Sequence, residues 1–99
     1  METHFPGATP YCHFYVTDED GALVDPSAIT VTIYDPNGTA VDSDKACTQI
    51  DTGEYYYAGW TVATTSLTGI YTWIPKSTDG TIVTRNKKYN FLVEKETGD

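Results

Sequence analysis

Residues 29–34 read Ile-Thr-Val-Thr-Ile-Tyr, and this stretch decides the fold. Its apolar side chains, Ile29, Val31 and Ile33, alternate with two threonines and a tyrosine. Because neighbouring side chains of a β-strand point to opposite sides of the sheet, the pattern predicts a strand with one core face and one outer face. Nowhere do apolar residues recur at helical spacing over ten or more residues, so we predict an all-β protein.

The same alternation predicts about seven short strands along the chain. They cover residues 11–17, 29–34, 39–41, 45–51, 55–62, 69–75 and 89–94. Turn residues recur between them, most clearly at Asp35–Gly38 and Ser77–Gly80. This spacing is typical of a β-sandwich, with a closed barrel as the alternative. The pairing register of residues 39–51 is left open.

The chain is long enough for one domain. Residues 1–10 contain two prolines and a glycine without periodicity, which predicts a flexible N-terminal arm that a partner could order. The domain is then expected over residues 11–95, followed by a polar tail at 96–99. No signal peptide or bilayer-spanning run is visible, which favours folding in a reducing cytoplasm. Cys12 and Cys47 are therefore expected to be thiols, with a disulfide bridge as the alternative.

Six residues at alternating strand positions are expected to build the core. They are Ile29, Val31, Ile33, Tyr71, Trp73 and Phe91. The sequence Gly69-Ile70-Tyr71 also has the form of a tyrosine corner, in which a tyrosine hydroxyl bonds back to the loop before its strand. This feature favours the sandwich over the barrel.

A family resemblance accompanies these patterns. It rests on the order of Ile29–Ile33, Asp35–Gly38, Thr52–Tyr55, Gly69–Tyr71, Asp79–Gly80 and Tyr89–Val93. This order resembles prokaryotic and viral immunoglobulin-like domains, with a rhythm similar to filamin-type repeats and to small stand-alone immunoglobulin-like structural proteins of tailed phages. The resemblance implies an antiparallel immunoglobulin-like β-sandwich that serves as a spacer, decoration or adhesion module. The Cys, Trp, Cys spacing of antibody domains is missing, so antibody recognition loops are not carried over.

The composition is acidic, with a formal net charge of −8 from 14 acidic and 6 basic residues. Affinity for phosphate backbones and anionic membranes comes largely from Lys and Arg. We therefore expect neither nucleic-acid binding nor membrane insertion.

The residues offer little material for catalysis or for a cofactor. His4 lies in the expected flexible arm, and His13 points away from its neighbour Cys12 because adjacent strand residues face opposite sides. We expect no enzyme activity and no cofactor. Asp18, Glu19, Asp20 and Asp25 bracket one loop that could offer oxygen ligands to calcium, although a solvated acidic turn explains them more simply.

Outward aromatic residues are the candidate interaction surface. They are Tyr11, Tyr15, Tyr34, Tyr56 and Trp60. Exposed aromatic rings can anchor a protein partner or stack on a glycan, and ordinary cross-strand packing is the alternative. The sequence and the resemblance together predict a non-enzymatic virion protein, a phage head decoration or tail component. It would fold in the host cytoplasm and bind a capsid or tail protein or its own copies. The alternative is a carbohydrate- or host-surface-binding adhesin domain on a cell surface, within a larger protein.

Overall fold

The computed structural model describes residues 2–18, 20–79, 82–85 and 88–95 of the 99-residue chain. Within these ranges the chain forms nine β-strands and has no helix long and apolar enough to cross a membrane. The strands are β1 (Glu2–His4), β2 (Cys12–Tyr15), β3 (Ala28–Tyr34), β4 (Ala40–Ala46), β5 (Thr48–Asp51), β6 (Glu54–Tyr57), β7 (Gly69–Asp79), β8 (Ile82–Arg85) and β9 (Tyr89–Val93).

The strands form two sheets that enclose one core. The large sheet has the order β1-β9-β7-β3-β4, with β8 also paired to β7, and the small sheet has the order β2-β6-β5. Every pair is antiparallel except β1 with β9. The predicted all-β sandwich of two sheets is confirmed, and β1 and β8 are additions to the seven expected strands.

The core follows from the alternation in β3 and in its neighbour β7. Val31 lies opposite Pro75 and Ile33 lies opposite Trp73, and all four side chains are buried. Burying each large apolar side chain contributes about 1.5–3 kcal/mol to folding. The structure places all six expected core residues in one cluster, together with Cys12, Phe14, Val16, Tyr55, Val62 and Val93.

A tyrosine corner leads into β7, as the sequence predicts. Tyr71 is buried, and its hydroxyl donates a hydrogen bond of 2.7 Å to the carbonyl of Leu67. Burial raises the pKa of the Tyr71 hydroxyl, so it stays protonated and able to donate. The bond fixes the loop that precedes the strand, which is the role such corners have in sandwich domains.

The prediction of a flexible N-terminal arm is wrong for Glu2–His4, because these residues form β1. Glu2 pairs with Phe91 and His4 with Val93, in parallel with the last strand. The His4 ring packs edge-on against Phe91 at 5.3 Å between centroids. Pairing to a strand distant in sequence is not visible in local periodicity, which explains the error. The tail at 96–99 lies outside the described residues.

The chain passes from the large sheet to the small sheet at Cys47. Its amide donates a 3.3 Å hydrogen bond to Ile29 in β3, and the next residue, Thr48, begins β5 and pairs with Tyr56. This crossover sets the register of residues 39–51. Cys12 and Cys47 are both free thiols.

The turn expected at Ser77–Gly80 is also corrected. Ser77 and Thr78 continue β7, opposite Ile29 and Ala28 of β3. A continued ladder satisfies backbone hydrogen bonds that an early turn would leave open, so pairing overrides the local turn preference. Gly80 lies outside the described residues.

Candidate functional site

Aromatic rings cover the outer face of the small sheet. Tyr11 stacks with Tyr56 at 5.1 Å and with His13 at 5.9 Å between ring centroids, and His13 meets Tyr15 edge to face at 5.1 Å. We call these four residues, Tyr56, Tyr11, His13 and Tyr15, the aromatic ladder. Their side chains share one face because residues two apart on a strand point the same way, and because β2 and β6 pair in register.

The ladder leaves part of its tyrosine side chains exposed. Tyr11 and Tyr15 are each 53 % exposed, and yet the Tyr11 ring is stacked on two neighbours. Aromatic side chains of this kind combine apolar area with a polar tip. Within the part of the chain that is described, the hydroxyls of these two tyrosines have no hydrogen-bond partner. They can therefore bond to another molecule.

His13 is held in the middle of the ladder by Glu54. The Nε2 atom of His13 lies 2.7 Å from Oε2 of Glu54, and both side chains are about three-quarters buried. The bond fixes the imidazole plane against which Tyr11 stacks. The ladder is thus braced by a polar contact as well as by ring packing.

A cleft of about 710 Å³ adjoins the ladder. It shares Tyr11 and His13 with the ladder, it is also lined by Glu54, and its lining continues to Glu2 and His4 of β1. Its volume falls in the range of about 300–1,000 Å³ that is usual for ligand sites. Glu2 and His4 form a second pair, with 3.1 Å between Oε2 and Nε2.

The inner face of the small sheet carries a partly buried polar group of its own. The Tyr57 hydroxyl donates a hydrogen bond to Asp42 of β4, and Lys45 Nζ lies 3.6 Å from the other oxygen of that carboxylate. Burial, followed by the bond to Asp42, raises the pKa of the Tyr57 hydroxyl. Burial also raises the pKa of the Cys12 thiol to about 12 and that of Cys47 to about 11. Both thiols are therefore protonated and weakly nucleophilic near neutral pH.

The five candidate surface residues do not form one patch. Tyr11, Tyr15 and Tyr56 come together in the ladder. Tyr34 lies on the outer face of the large sheet, beside a separate cavity of about 340 Å³. The prediction that Trp60 points outward is wrong. Strand β6 ends at Tyr57, and the Trp60 ring turns inward against Tyr71 at 5.4 Å between centroids.

Sequence reasoning missed His13 and Glu54 as members of this surface. The signal was present, because His13 lies between two outward tyrosines and Glu54 is two residues before Tyr56 on the same face. Glu2 and His4 were missed for another reason, since their arm was expected to be flexible.

The acidic loop is held by hydrogen bonds that two of its carboxylates, Asp18 and Asp25, accept. One oxygen of Asp18 accepts bonds from the amides of Asp20 and Ala22, at 2.9 and 3.0 Å. One oxygen of Asp25 accepts bonds from Gly53, Gln49 and Tyr55. Among the residues described, no group of three or more His, Cys, Asp or Glu side chains is arranged to hold a metal ion. These carboxylates act as structural acceptors.

Comparisons with known proteins support the architecture. No protein-family model matches the chain, and no curated protein matches it. Among solved structures, the crystal structure of CopC from Methylosinus trichosporium OB3b is similar, with a TM-score of 0.61 and 19 % sequence identity. The match covers 99 % of this chain and 89 % of the CopC chain. At this identity the likeness shows the fold alone, a β-sandwich.

Proposed function

We propose that this domain is a non-enzymatic interaction module that docks onto a protein assembly through its aromatic ladder. The assembly is either a lattice of its own copies or a capsid or tail protein of a virion. The observation that carries the proposal is the ladder itself, in which Tyr11 and Tyr15 are half exposed and their hydroxyls lack partners in the described chain. Tyrosines with this environment are typical anchors of protein interfaces.

Ring geometry favours a protein partner over a sugar. A sugar stacks on an open ring face, whereas the Tyr11 ring is already stacked on Tyr56 and His13. Tyr11 and Tyr15 remain half exposed, with hydroxyls that lack a partner in the described chain, and such side chains suit the mixed apolar and hydrogen-bonding contacts of a protein interface. Glycan binding is the second candidate, because within the described residues the Tyr15 ring makes a ring contact only with His13, in a T-shaped arrangement.

The charge of the chain is consistent with a docking role. A net charge of −8 keeps free copies soluble and apart, and docking then requires a complementary patch on the partner. The resemblance of the strand order to phage immunoglobulin-like proteins supports a virion setting, with folding in the host cytoplasm. A cell-surface position within a larger protein is the alternative setting.

The proposed lack of enzymatic activity rests on the positions of the reactive side chains. Cys12 is fully buried with its thiol pKa raised to about 12, and His13 lies on the opposite face of the same strand. A thiol and an imidazole on opposite faces cannot exchange a proton as a catalytic pair.

Light scattering of the purified protein across a concentration series tests the proposal. Wild type is expected to form a defined oligomer, and Tyr11→Ser with Tyr15→Ser is expected to remain monomeric. Tyr34→Ser is the matched control, because it removes an outward tyrosine from the other sheet, and it should still associate.

A monomeric wild type would restrict the proposal to a different protein partner. Co-sedimentation with isolated virus particles then compares the same three proteins, and the double variant alone should stay in the supernatant. Saturable quenching of tryptophan fluorescence by a glycan, abolished by Tyr15→Ser, would instead favour the carbohydrate-binding candidate.

A further inference from the structure

The cleft beside the ladder brings together acidic groups from both sheets. Glu2 comes from β1 at the edge of the large sheet, and Glu54 comes from β6 of the small sheet. Each carboxylate contacts one histidine through a single oxygen, Oε2. A carboxylate offers about four lone-pair sites, so the second oxygen of each can still accept hydrogen bonds.

The lining of the cleft carries negative charge. Neither lysine nor arginine occurs among the described residues that line the cleft. With the histidines neutral, as in the formal charge of the chain, the two glutamates give the cleft a charge of −2. An anionic ligand would be repelled here, and a cationic group would be attracted.

Aromatic side chains form much of the remaining wall. Tyr11 belongs to both the cleft and the ladder. Trp73 and Tyr89 also line the cleft, and their rings stack at 4.2 Å between centroids. A cation held near aromatic rings gains further attraction from their electron-rich faces. The walls therefore favour an organic cation with a flat surface over a strongly hydrated metal ion.

Among protein side chains, arginine fits this combination. Its guanidinium group is planar, pairs with a carboxylate through two parallel hydrogen bonds, stacks on aromatic rings and is weakly hydrated. A lysine ammonium group lacks the planar fork and holds its water more strongly. The cleft volume of about 710 Å³ is large enough for a whole side chain.

We propose that this cleft receives an arginine side chain of the docked partner, held by Glu2 and Glu54 against the aromatic wall. The cleft shares Tyr11 and His13 with the ladder, so a protein seated on the ladder can reach it. The inference rests on the proposed docking function, for which it names the chemistry of the partner.

The two tryptophans allow a direct test by nitrogen–proton NMR of the full chain. Trp73 lines the cleft and Trp60 does not, so their indole N–H signals report on the site and on the rest of the fold. N-acetyl-arginine amide is expected to shift the Trp73 signal in a saturable manner, with a dissociation constant on the order of millimolar for a single side chain. The Trp60 signal should stay in place.

Neutral and charge-matched controls make the test specific. The citrulline analogue has nearly the same shape without the charge and should bind at least about tenfold more weakly. Glu54→Gln should weaken arginine binding by a similar factor. Glu94→Gln removes one exposed carboxylate outside the cleft and should leave it unchanged.

Three results would overturn the inference: no shift of Trp73 with arginine, equal shifts with citrulline, or equal losses in Glu54→Gln and Glu94→Gln. A well-dispersed spectrum of each variant shows that it is folded. The docking proposal and the cleft assignment can fail separately. If the chain binds arginine but never associates, only the docking proposal is contradicted. Ladder-dependent association without an arginine effect contradicts only the cleft assignment.

Discussion

The two faces of the small sheet use the same residue types for opposite purposes. On the inner face Phe14 is 1 % exposed, and the hydroxyls of Tyr55 and Tyr57 donate to carboxylates. On the outer face Tyr15 is 53 % exposed, and its hydroxyl has no partner in the described residues. Inward aromatic residues are thus committed to folding. The outward ones have polar and apolar groups left for a partner, and for this reason we assign the interaction surface to them.

The largest difference between the faces should appear when neighbouring rings are removed from β2. Phe14→Ala is expected to lower the free energy of unfolding by about 3–5 kcal/mol, because it opens a cavity against Tyr55 and Trp73. Tyr15→Ala, the matched control one residue later, should change stability by no more than about 0.5 kcal/mol. Urea denaturation followed by tryptophan fluorescence measures both. Similar losses in the two variants would contradict the division into structural and docking rings.

A smaller difference in stability is expected when the hydroxyl group is removed from one or the other of two adjacent tyrosines in β6. Tyr57→Phe removes the hydrogen bond to Asp42, whose side chain is only 12 % exposed, and should cost about 1–3 kcal/mol. The same change at Tyr56, in the ladder, should cost no more than about 0.5 kcal/mol. Thermal unfolding of both variants measures the contrast. Equal values would mean that the Asp42 carboxylate is satisfied without Tyr57.

The sequence predicted the parts of the fold that depend on local alternation. The β3 pattern placed Ile29, Val31 and Ile33 in the core, and Gly69–Tyr71 indicated the tyrosine corner. Pairing between distant segments could not be read in this way. The position of β1 depends on the free edge of β9, to which no local pattern in the first ten residues points.

The candidate site was predictable in part for the same reason. Alternation along residues 11–17 placed Tyr11 and Tyr15 outside, and the register of β2 with β6 then added Tyr56. Trp60 was misplaced because β6 ends three residues before it, and alternation carries no information beyond the end of a strand. The cleft is lined by residues of β1 and of the small sheet, which are distant in sequence, so it became visible only in three dimensions.

The smallest expected effect concerns Asp25, at the exposed rim where the Tyr55 hydroxyl emerges from the inner face. One oxygen of Asp25 accepts bonds from the Gly53 amide at 2.8 Å, from Gln49 at 2.8 Å and from Tyr55 at 3.2 Å. These donors, the Gly53 amide first, lower the pKa of the Asp25 carboxyl in the folded state. The unfolded state therefore takes up the Asp25 proton at a higher pH than the folded state does. The stabilisation from Asp25 is complete above its usual pKa of 3.8, and it is lost as the pH falls through the lower pKa of the folded state.

The lowered pKa of Asp25 predicts the outcome of unfolding measurements carried out between pH 7 and pH 2.5. Asp25→Asn should be less stable than wild type at neutral pH, and the difference should shrink in acid as the wild-type carboxylate becomes protonated. Gln49→Ala is the control, because it removes one neutral donor and keeps the carboxylate, so most of the acid dependence should persist. A difference between Asp25→Asn and wild type that stays constant with pH would show that the Asp25 contacts do not depend on its charge. The inner tyrosine Tyr55 would then be held at the rim by packing instead of by a charged acceptor.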